Sequence, residues 1–277
     1  MTVAEAIRAA AAQFHSESAR LDAELLLCHA LSVNRSWLYA WPDKSLEPAQ
    51  QRRFDELVAR RASGEPIAHI LGEREFWSLS LTVTPDTLIP RPDTELLVEQ
   101  ALCLLPEDTA LRAADLGTGS GAVALAIARE RPRCSVVATD SSPAALEVAR
   151  ENAVRNQIAN VTFRQGDWCA ALGDERFDLI VSNPPYIAAD DPHLSQGDVR
   201  FEPRTALVAG QDGLDDIRQI TSEAREHLHS NGWLLLEHGF GQGEGVRGIL
   251  RENGYERVTT WCDLAGLERV TGGRRGT

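Results

Sequence analysis

The chain has 277 residues, of which 43% are hydrophobic and 25% are charged, so it can form one large or two modest domains with a full core. Its formal net charge of −13 argues against broad, non-specific DNA binding, which depends on Lys and Arg contacts to phosphates. No apolar run is long enough to span a membrane.

The first seventy or so residues are predicted to form a small, all-helical domain. Val3 to Phe14 and Leu21 to Leu31 carry apolar residues at helical spacing. A short helix is expected from Asn34 to Pro42, and a longer one from an N-cap at Ser45 toward Arg61. Gly64-Glu65-Pro66 then ends the helical pattern.

A hairpin and a proline-stiffened connector are expected between two domains. Phe76 to Val83 alternates in part, which predicts a strand or hairpin, and Leu88 to Asp93 is a stiff connector whose Asp93 is an expected N-cap. We therefore predict a helical domain at 1–74, a connecting hairpin or linker at 75–87 and a second domain at 88–277. The pattern leaves open to which domain the hairpin belongs.

From Leu111 onward the pattern changes to strand, turn and helix in repetition. The strands are expected at Ala113–Leu116, Ser135–Thr139, Val161–Phe163, Phe177–Ser182 and Trp233–Glu237, with two more between Tyr255 and Arg274. The helices are expected at Ala122–Arg129, Pro143–Asn156 and Ile217–Leu228. This alternation predicts an α/β fold with a mostly parallel sheet and helices on both faces.

The cysteines and the N-terminus indicate an intracellular protein. The five cysteines are scattered and odd in number, and no Cys-x-x-Cys pair occurs, so neither a zinc site nor a disulfide framework is indicated. The first residues lack the basic and apolar segments of a signal peptide. We expect a cytoplasmic protein without a membrane partner.

The motif Asn183-Pro184-Pro185-Tyr186 is the strongest chemical signal in the chain. Two successive prolines cannot continue a sheet ladder, so the apolar strand before them must stop at its carboxyl edge, where ligands bind in open α/β sheets. The Asn183 amide oxygen and the freed Pro184 carbonyl are acceptors, and Tyr186 supplies a flat face. Together they predict a receptor for a planar group that carries an NH2.

The cofactor is indicated by residues at the ends of the preceding strands. Gly117-Thr118-Gly119-Ser120-Gly121 lets the backbone approach a ligand, and Asp140 suits ribose hydroxyls. Glycine spacing alone also fits a nicotinamide dehydrogenase. Asp167-Trp168 suits an adenine pocket, however, and the Asn183 strand end supplies no acid or base for hydride chemistry. S-adenosylmethionine therefore fits better, and no metal is required.

Several further stretches are shared with one family along nearly the whole chain. They are Gly64–His69, Arg74–Ser78, Leu88–Glu95, Asp115–Ala122, Ser182–Tyr186, Asp191–Leu194, Asp198–Pro203, Leu234–Gly239 and Glu268–Thr271. In these stretches the sequence resembles the HemK/PrmC methyltransferases, which modify the glutamine of the Gly-Gly-Gln motif in class 1 peptide chain release factors. The resemblance implies a Rossmann-like methyltransferase with a seven-stranded, mostly parallel sheet.

The resemblance also implies roles for residues and partners. Gly117–Gly121, Asp140, Trp168 and Asn183 are expected to contact S-adenosylmethionine, and Asn183–Tyr186 to hold the substrate glutamine. The N-terminal helices are expected to help dock release factors, which act in translation termination. Adenine-N6 methylation of nucleic acid stays open as an alternative, because such enzymes share the Asn183 motif. The acidic charge disfavours it, and no direct DNA binding is expected. A non-enzymatic ribosome-associated binding module is a more distant alternative, which the complete site disfavours.

The chemistry that these residues predict is catalysis by orientation. A carboxamide nitrogen is a poor nucleophile, and its proton becomes acidic only as the methyl group arrives. Acceptors at Asn183 and Pro184 would aim the nitrogen and stabilise the positive charge that develops on it. His69, His193 and His238 are therefore expected to be structural or loop residues rather than general bases.

Overall fold

The chain divides into two compact units. The computed structural model describes residues 1–277, and the contacts among them group Met1–Glu73 with Ser195–Phe201 as the first unit. The second unit consists of Arg74–Leu194 and Glu202–Thr277. The membership of Ser195–Phe201 in the first unit is not foreseen by the sequence, because the segment lies far along the chain.

The first unit is built from five helices. They are α1 (Val3–Ala11), α2 (Ala19–Leu31), α3 (Arg35–Ala40), α4 (Pro48–Ala62) and α5 (Ile67–Leu71). α1 begins with a capping box in which Thr2 and Glu5 satisfy each other's backbone N–H groups. The predicted cap of α4 is wrong, because Glu47 and Gln50 form its capping box while Ser45 pairs with Thr2 in a β-bridge. The predicted extension of α1 to Phe14 is also wrong, since the helix ends at Ala11.

Apolar faces and ion pairs hold the first unit together. Its core is a single cluster of buried side chains that includes Val3, Leu26 and Phe54. The side chain of Arg61 is only 11% exposed and binds Asp22 at 2.9 Å and Asp198 at 2.9 Å. An arginine that is largely enclosed and paired twice is held in position rather than free in solvent.

The hairpin lies in the second unit, apart from its first residue. β1 (Glu73–Phe76) and β2 (Leu79–Thr82) are joined at Trp77 and Ser78, which both have positive φ. Phe76, Leu79 and Leu81 are buried in the hydrophobic core of the second unit. The hairpin is therefore part of this core and not a loose linker.

The rest of the second unit alternates strands and helices. The strands are β3 (Arg112–Leu116), β4 (Ser135–Asp140), β5 (Val161–Gln165), β6 (Phe177–Ser182), β7 (Leu228–Glu237), β8 (Tyr255–Cys262) and β9 (Glu268–Arg275). The helices are α6 (Glu95–Leu104), α7 (Ala122–Glu130), α8 (Pro143–Arg155), α9 (Asp215–Ala224) and α10 (Gly243–Glu252). No helix in the chain combines the length and apolar character needed to cross a membrane.

The seven strands form one sheet in the order β5-β4-β3-β6-β7-β9-β8. β5, β4, β3, β6 and β7 pair in parallel, and β9 runs antiparallel to its neighbours. The predicted α/β fold with a seven-stranded, mostly parallel sheet is thus confirmed. Chain order reverses between β3 and β6, which marks the position where ligands bind in this class of fold.

The central strands of the sheet are buried on both faces, and neighbouring residues of β3 and β6 point into different cores. Ala113 and Leu179 belong to the cluster that includes α6 and α7, whereas Ala114 and Ile180 belong to the one that includes α9 and α10. This alternation follows from the two-residue period of a strand. Strands buried on both faces read as the continuous apolar runs seen in the sequence.

Three further elements, all in the second unit, differ from the sequence prediction. Helix α10 is not foreseen, because Gly243, Gly245 and Gly248 lower its helix propensity. Asp93 does not cap a helix but lies in a 3₁₀ turn, Pro92–Thr94, that precedes α6. The helix expected to reach Leu228 ends at Ala224, and Leu228 is already the first residue of β7.

Candidate active site

The candidate site lies at the carboxyl edge of the sheet, between β3 and β6. These strands are parallel neighbours with Leu116 opposite Ser182, so Gly117 and Asn183 leave the sheet side by side. A cavity of about 320 Å³ opens there. It is lined by Pro85–Leu88, Gly117, Gly119, Asp140–Ser142, Ala145, Gly166–Trp168, Asn183, Pro185, Pro203, Thr205 and Ala206. A chamber of this size, lined by both polar and apolar groups, suits a small-molecule ligand.

The glycine loop is shaped by a ring contact. Gly117 has φ +71°, and a β-carbon there would lie 2.9 Å from Cζ3 of Trp168. Glycine is therefore required at this position twice, for its backbone conformation and for the approach of the indole. Trp168 is half-buried and lines the cavity, so its ring forms one wall beside the loop.

Asp115, near the end of β3, also holds the glycine loop in place through hydrogen bonds. Its buried carboxyl accepts hydrogen bonds from Thr118 Oγ1 at 2.7 Å and from the Ala124 backbone N–H at 3.1 Å. Burial raises the pKa of Asp115 to about 6, against the opposing effect of these two bonds. The side chain of Asn152 adds a further anchor, because its Nδ2 donates to the Ser120 carbonyl at 2.9 Å.

Asp140 stands at the end of β4 with both carboxylate oxygens engaged by backbone. Oδ2 accepts from the Gly119 N–H and Oδ1 from the Ser142 N–H, each at 2.9 Å. A carboxylate has about four acceptor positions, so about two remain toward the cavity that Asp140 lines. The residue can therefore hold the glycine loop and still accept from a diol.

Asn183 presents an acceptor that has no partner in the protein. Its Nδ2 donates to Thr94 Oγ1 at 3.2 Å, whereas its buried Oδ1 accepts no hydrogen bond. A buried acceptor left without a donor costs about 1–3 kcal/mol. An NH2 group arriving in the cavity would remove that penalty.

Glu237 is a buried acid beside this asparagine. It is 1% exposed at the end of β7, and burial raises its pKa to about 7, while hydrogen bonding from Thr94 and Asn183 acts in the opposite direction. The sequence analysis quotes the stretch that contains Glu237 but gives the residue no role. A single acidic residue directly after a run of apolar leucines is the sequence feature that could have indicated its place in the site.

The structure brings most, but not all, of the expected site residues to cavity walls. Thr118 and Ser120 line a smaller cavity of about 50 Å³ that adjoins Gly117 and Asn183. Pro184, Tyr186 and Gly121 line neither of the two. The Tyr186 carbonyl accepts from Gln242, and a β-carbon on Gly121 would meet Leu125 and Ala149. Contacts of these three residues with cofactor or substrate stay predictions.

Two loop segments that sequence analysis does not assign to the site also line the large cavity. They are Pro85–Leu88, which follows the hairpin, and a segment that contains Pro203, Thr205 and Ala206. Next to the latter, Glu202 is buried and binds Arg91 at 2.5 Å. Both ionic partners lie in stretches that carry the family resemblance, and this is the sequence feature that could have linked these segments to the site.

The histidines lie away from the cavity walls. His193 is exposed and pairs with Asp191 at 2.7 Å. His238 is fully buried, where Nε2 contacts Thr271 Oγ1 at 2.8 Å, and burial lowers its pKa. His69 is likewise absent from the lining. No group of three or more His, Cys, Asp or Glu side chains is arranged to hold a metal ion.

Family comparisons identify both parts of the chain. The PrmC N-terminal domain model matches residues 5–72, and the methyltransferase small domain model matches residues 92–197. The release factor glutamine methyltransferase of Vibrio cholerae is 54% identical over 283 residues, covering 100% of this chain and 98% of the relative. The protein of the same name from Pseudomonas aeruginosa is 56% identical, covering 94% of each chain.

Solved structures share the fold at lower identity. A methyltransferase from Pyrococcus furiosus has a TM-score of 0.55 and 20% identity, covering 79% of this chain and 98% of that one. A T. thermophilus 16S rRNA methyltransferase, solved with AdoMet and guanosine, has a TM-score of 0.53 and 21% identity, covering 73% and 49%. These likenesses show a methyltransferase fold, and with the much closer relatives above they show that this chain belongs to the release factor glutamine methyltransferase family.

Proposed function

We propose that this protein transfers a methyl group from S-adenosylmethionine to the side-chain amide nitrogen of the glutamine in the Gly-Gly-Gln motif of class 1 release factors. The names of the relatives support the substrate. The observation that carries the chemistry is that Asn183 lines the cavity and that its buried Oδ1 has no hydrogen-bond donor in the protein. A primary amide supplies such a donor.

The residues present fit S-adenosylmethionine. Gly117 lets the Trp168 ring pack against the loop, that ring offers a face for a flat base, and Asp140 retains acceptor positions for ribose hydroxyls. Thr118, Ser120 and Asn183 adjoin the smaller cavity, where the amino-acid end would lie. When bound, this cofactor supplies an electrophilic methyl group on a sulfonium.

The chain's own residues contribute orientation and charge stabilisation. Asn183 Oδ1 accepts one N–H of the substrate amide, and the Pro184 carbonyl accepts the other. These acceptors keep the nitrogen aimed at the methyl group and bind more strongly as positive charge develops on nitrogen. The extra proton leaves only after the new C–N bond has formed, so no strong base is needed before attack. Tyr186 covers the flat amide.

The helical unit supplies docking energy in this proposal. Residues 1–74 would bind the release factor away from the reacting glutamine, and binding energy from remote contacts positions the reacting group. The match of residues 5–72 to a domain of this family supports such a role. The catalytic part would then begin with the hairpin, whose side chains pack in its core.

Mass spectrometry tests the function directly. Purified release factor is incubated with the protein and isotope-labelled S-adenosylmethionine, and we expect one labelled methyl group on the glutamine of the Gly-Gly-Gln motif. An adenine-containing oligonucleotide serves as the competing substrate, since the Asn183 motif also occurs in adenine-N6 methyltransferases. Methylation of the oligonucleotide alone would overturn the proposal.

The variant Asn183→Ala links the activity to the site. We expect it to lower single-turnover rates on release factor by roughly 10²- to 10⁴-fold, as for loss of a positioned transition-state partner. His193→Ala is the matched control, because this exposed side chain contacts only Asp191 among the bonds described. Equal rates for Asn183→Ala and the wild type would remove Asn183 from the mechanism.

A further inference from the structure

The strand ends place a buried carboxyl next to the amide of Asn183. β6 and β7 are parallel neighbours with Ser182 opposite Leu236, so the next residues, Asn183 and Glu237, emerge together at the sheet edge. Glu237 is 1% exposed and Thr94, which lies between the connector and α6, is 4% exposed. Two of these polar side chains are thus buried, and the third, Asn183, is half-buried at the wall of the cavity.

The hydrogen bonds among these groups have one consistent direction. Asn183 Nδ2 donates to Thr94 Oγ1 at 3.2 Å, and hydrogen bonding from Thr94 and Asn183 lowers the pKa of the Glu237 carboxyl against the larger effect of its burial. A threonine hydroxyl that gives its proton to the acid keeps a lone pair available to the asparagine NH2. In that arrangement each proton of the set faces an acceptor, while Asn183 Oδ1 and one carboxyl oxygen of Glu237, Oε2, have no hydrogen-bond partner in the protein.

We propose that Glu237 is a positioning residue which, together with Thr94, holds the Asn183 amide with Oδ1 rather than Nδ2 toward the reacting amide. This inference rests on the proposed function. An asparagine amide is nearly symmetric in shape, so packing alone does not select between its two orientations. The flipped orientation would face Oδ1 toward a carboxylate and present a donor, instead of an acceptor, to the substrate NH2.

The orientation of Asn183 matters because the substrate amide brings donors. A flipped Asn183 would leave both its own NH2 and the substrate NH2 without an acceptor, and each unsatisfied buried group is penalised. A preorganised acceptor avoids reorganisation during the reaction, which is the main source of electrostatic catalysis. Glu237 therefore affects the rate without touching substrate or cofactor.

Two substitutions of Glu237 separate this role from simple packing. Glu237→Met has a similar volume and no acceptor, and we expect it to lower the single-turnover rate at saturating substrate by about 30- to 300-fold. Glu237→Gln keeps one acceptor oxygen, and we expect it to recover most of the rate, to within about 10-fold of the wild type. KM for release factor should change by less than about 3-fold in both, because the residue does not touch substrate.

A double-mutant cycle identifies the route of the effect. If Glu237 acts through Asn183, then Glu237→Met should change the rate by less than about 3-fold when Asn183→Ala is already present. An equal loss in both backgrounds, or equal rates for Glu237→Met and Glu237→Gln, would overturn the inference. Thr94→Val repeats the cycle from the second positioning group in case Glu237→Met does not fold.

The wild-type protein distinguishes failure of this inference from failure of the proposed function. If wild type does not methylate release factor, the proposed function fails and the inference fails with it. If wild type is active and Glu237→Met, folded by circular dichroism, is equally active, only the inference fails.

Discussion

Gly117 and Trp168 are so closely packed that a β-carbon on the glycine would lie 2.9 Å from the indole atom Cζ3. The contact joins the turn after β3 to the short 3₁₀ helix after β5. Only a residue without a side chain allows both the φ of +71° and the position of the ring. The absence of a β-carbon at Gly117 thus allows the Trp168 ring to form this wall of the cavity.

Gly117→Ala should therefore displace the Trp168 ring and weaken cofactor binding by about 10-fold or more, in addition to about 1–2 kcal/mol of backbone strain. Calorimetry with S-adenosylmethionine measures the affinity, and the change in tryptophan fluorescence between wild type and variant measures the displacement of the Trp168 ring. Gly72→Ala is the matched control, because Gly72 has φ +74° and nothing lies within 4 Å of its added β-carbon. Equal effects of the two substitutions on cofactor affinity would contradict the role of the ring contact.

Asp140→Ala should weaken S-adenosylmethionine binding by about 1.5–3 kcal/mol, since charge-assisted hydrogen bonds are lost. Part of this loss in affinity arises because the substitution also removes the hydrogen bond from the Gly119 N–H to Asp140, which holds the glycine loop in place. Asp140→Asn keeps one acceptor oxygen and should lose less. Unchanged affinity in a folded Asp140→Ala protein, measured by calorimetry, would show that Asp140 does not bind the cofactor.

Removal of the helical unit should separate cofactor binding from substrate docking. A truncated protein that begins at Glu73 keeps β1 whole, and we expect it to bind S-adenosylmethionine but to methylate intact release factor poorly. Full activity of the folded truncated protein would exclude a docking role for the helices.

A truncation that begins at Leu88 is the contrasting case. It removes the hairpin and with it Phe76, Leu79 and Leu81 from the core, each worth about 1.5–3 kcal/mol when fully buried. We expect this shorter protein to be unfolded by circular dichroism. A stable fold without the hairpin would show that residues 75–87 act as a linker.

The raised pKa of Glu237 should make stability depend on pH. Its folded-state pKa of about 7 lies above the ordinary value of 4.5, so the folded protein binds the proton more tightly than the unfolded chain. The contribution of this group to the free energy of unfolding is therefore greatest below about pH 4.5 and falls as the pH rises to about 7. Asp115, with a pKa raised to about 6, acts in the same sense.

Glu237→Gln isolates that contribution, because Asp115 is present in both proteins. Relative to wild type, the variant should gain on the order of 2–3 kcal/mol in unfolding free energy between pH 5 and pH 8. Urea unfolding at the two pH values measures the difference. A difference between variant and wild type that does not change with pH would show that Glu237 titrates normally in the folded protein.

The elements that the sequence predicts well are those encoded by local pattern. The apolar strand before Gly117 and the proline stop after Ser182 are visible in a few neighbouring residues, so β3, β6 and the edge between them follow directly. The helical spacing of Ala122–Glu130 is equally local. Helix α10 lacks such a signal because of its glycines, and its amphipathic face becomes stable only when packed on the sheet.

The features that the sequence does not predict depend on contacts between distant residues. Thr94 meets Asn183 across 89 positions, and Arg61 meets Asp198 across 137. No local pattern marks these pairs, because a single threonine or aspartate is compatible with many surroundings. The cavity walls at Pro85–Leu88 and Pro203 escape prediction for the same reason.

The membership of Ser195–Phe201 in the helical unit has a consequence for synthesis. The chain passes between the two units three times, after residues 73, 194 and 201, so neither unit is a continuous segment. As the ribosome releases the chain, the five helices emerge long before Asp198, the second ionic partner of the half-buried Arg61. The ion pair between Arg61 and Asp198 can form only after most of the sheet has been translated. Completion of the N-terminal fold therefore depends on the part of the chain that follows Asn183.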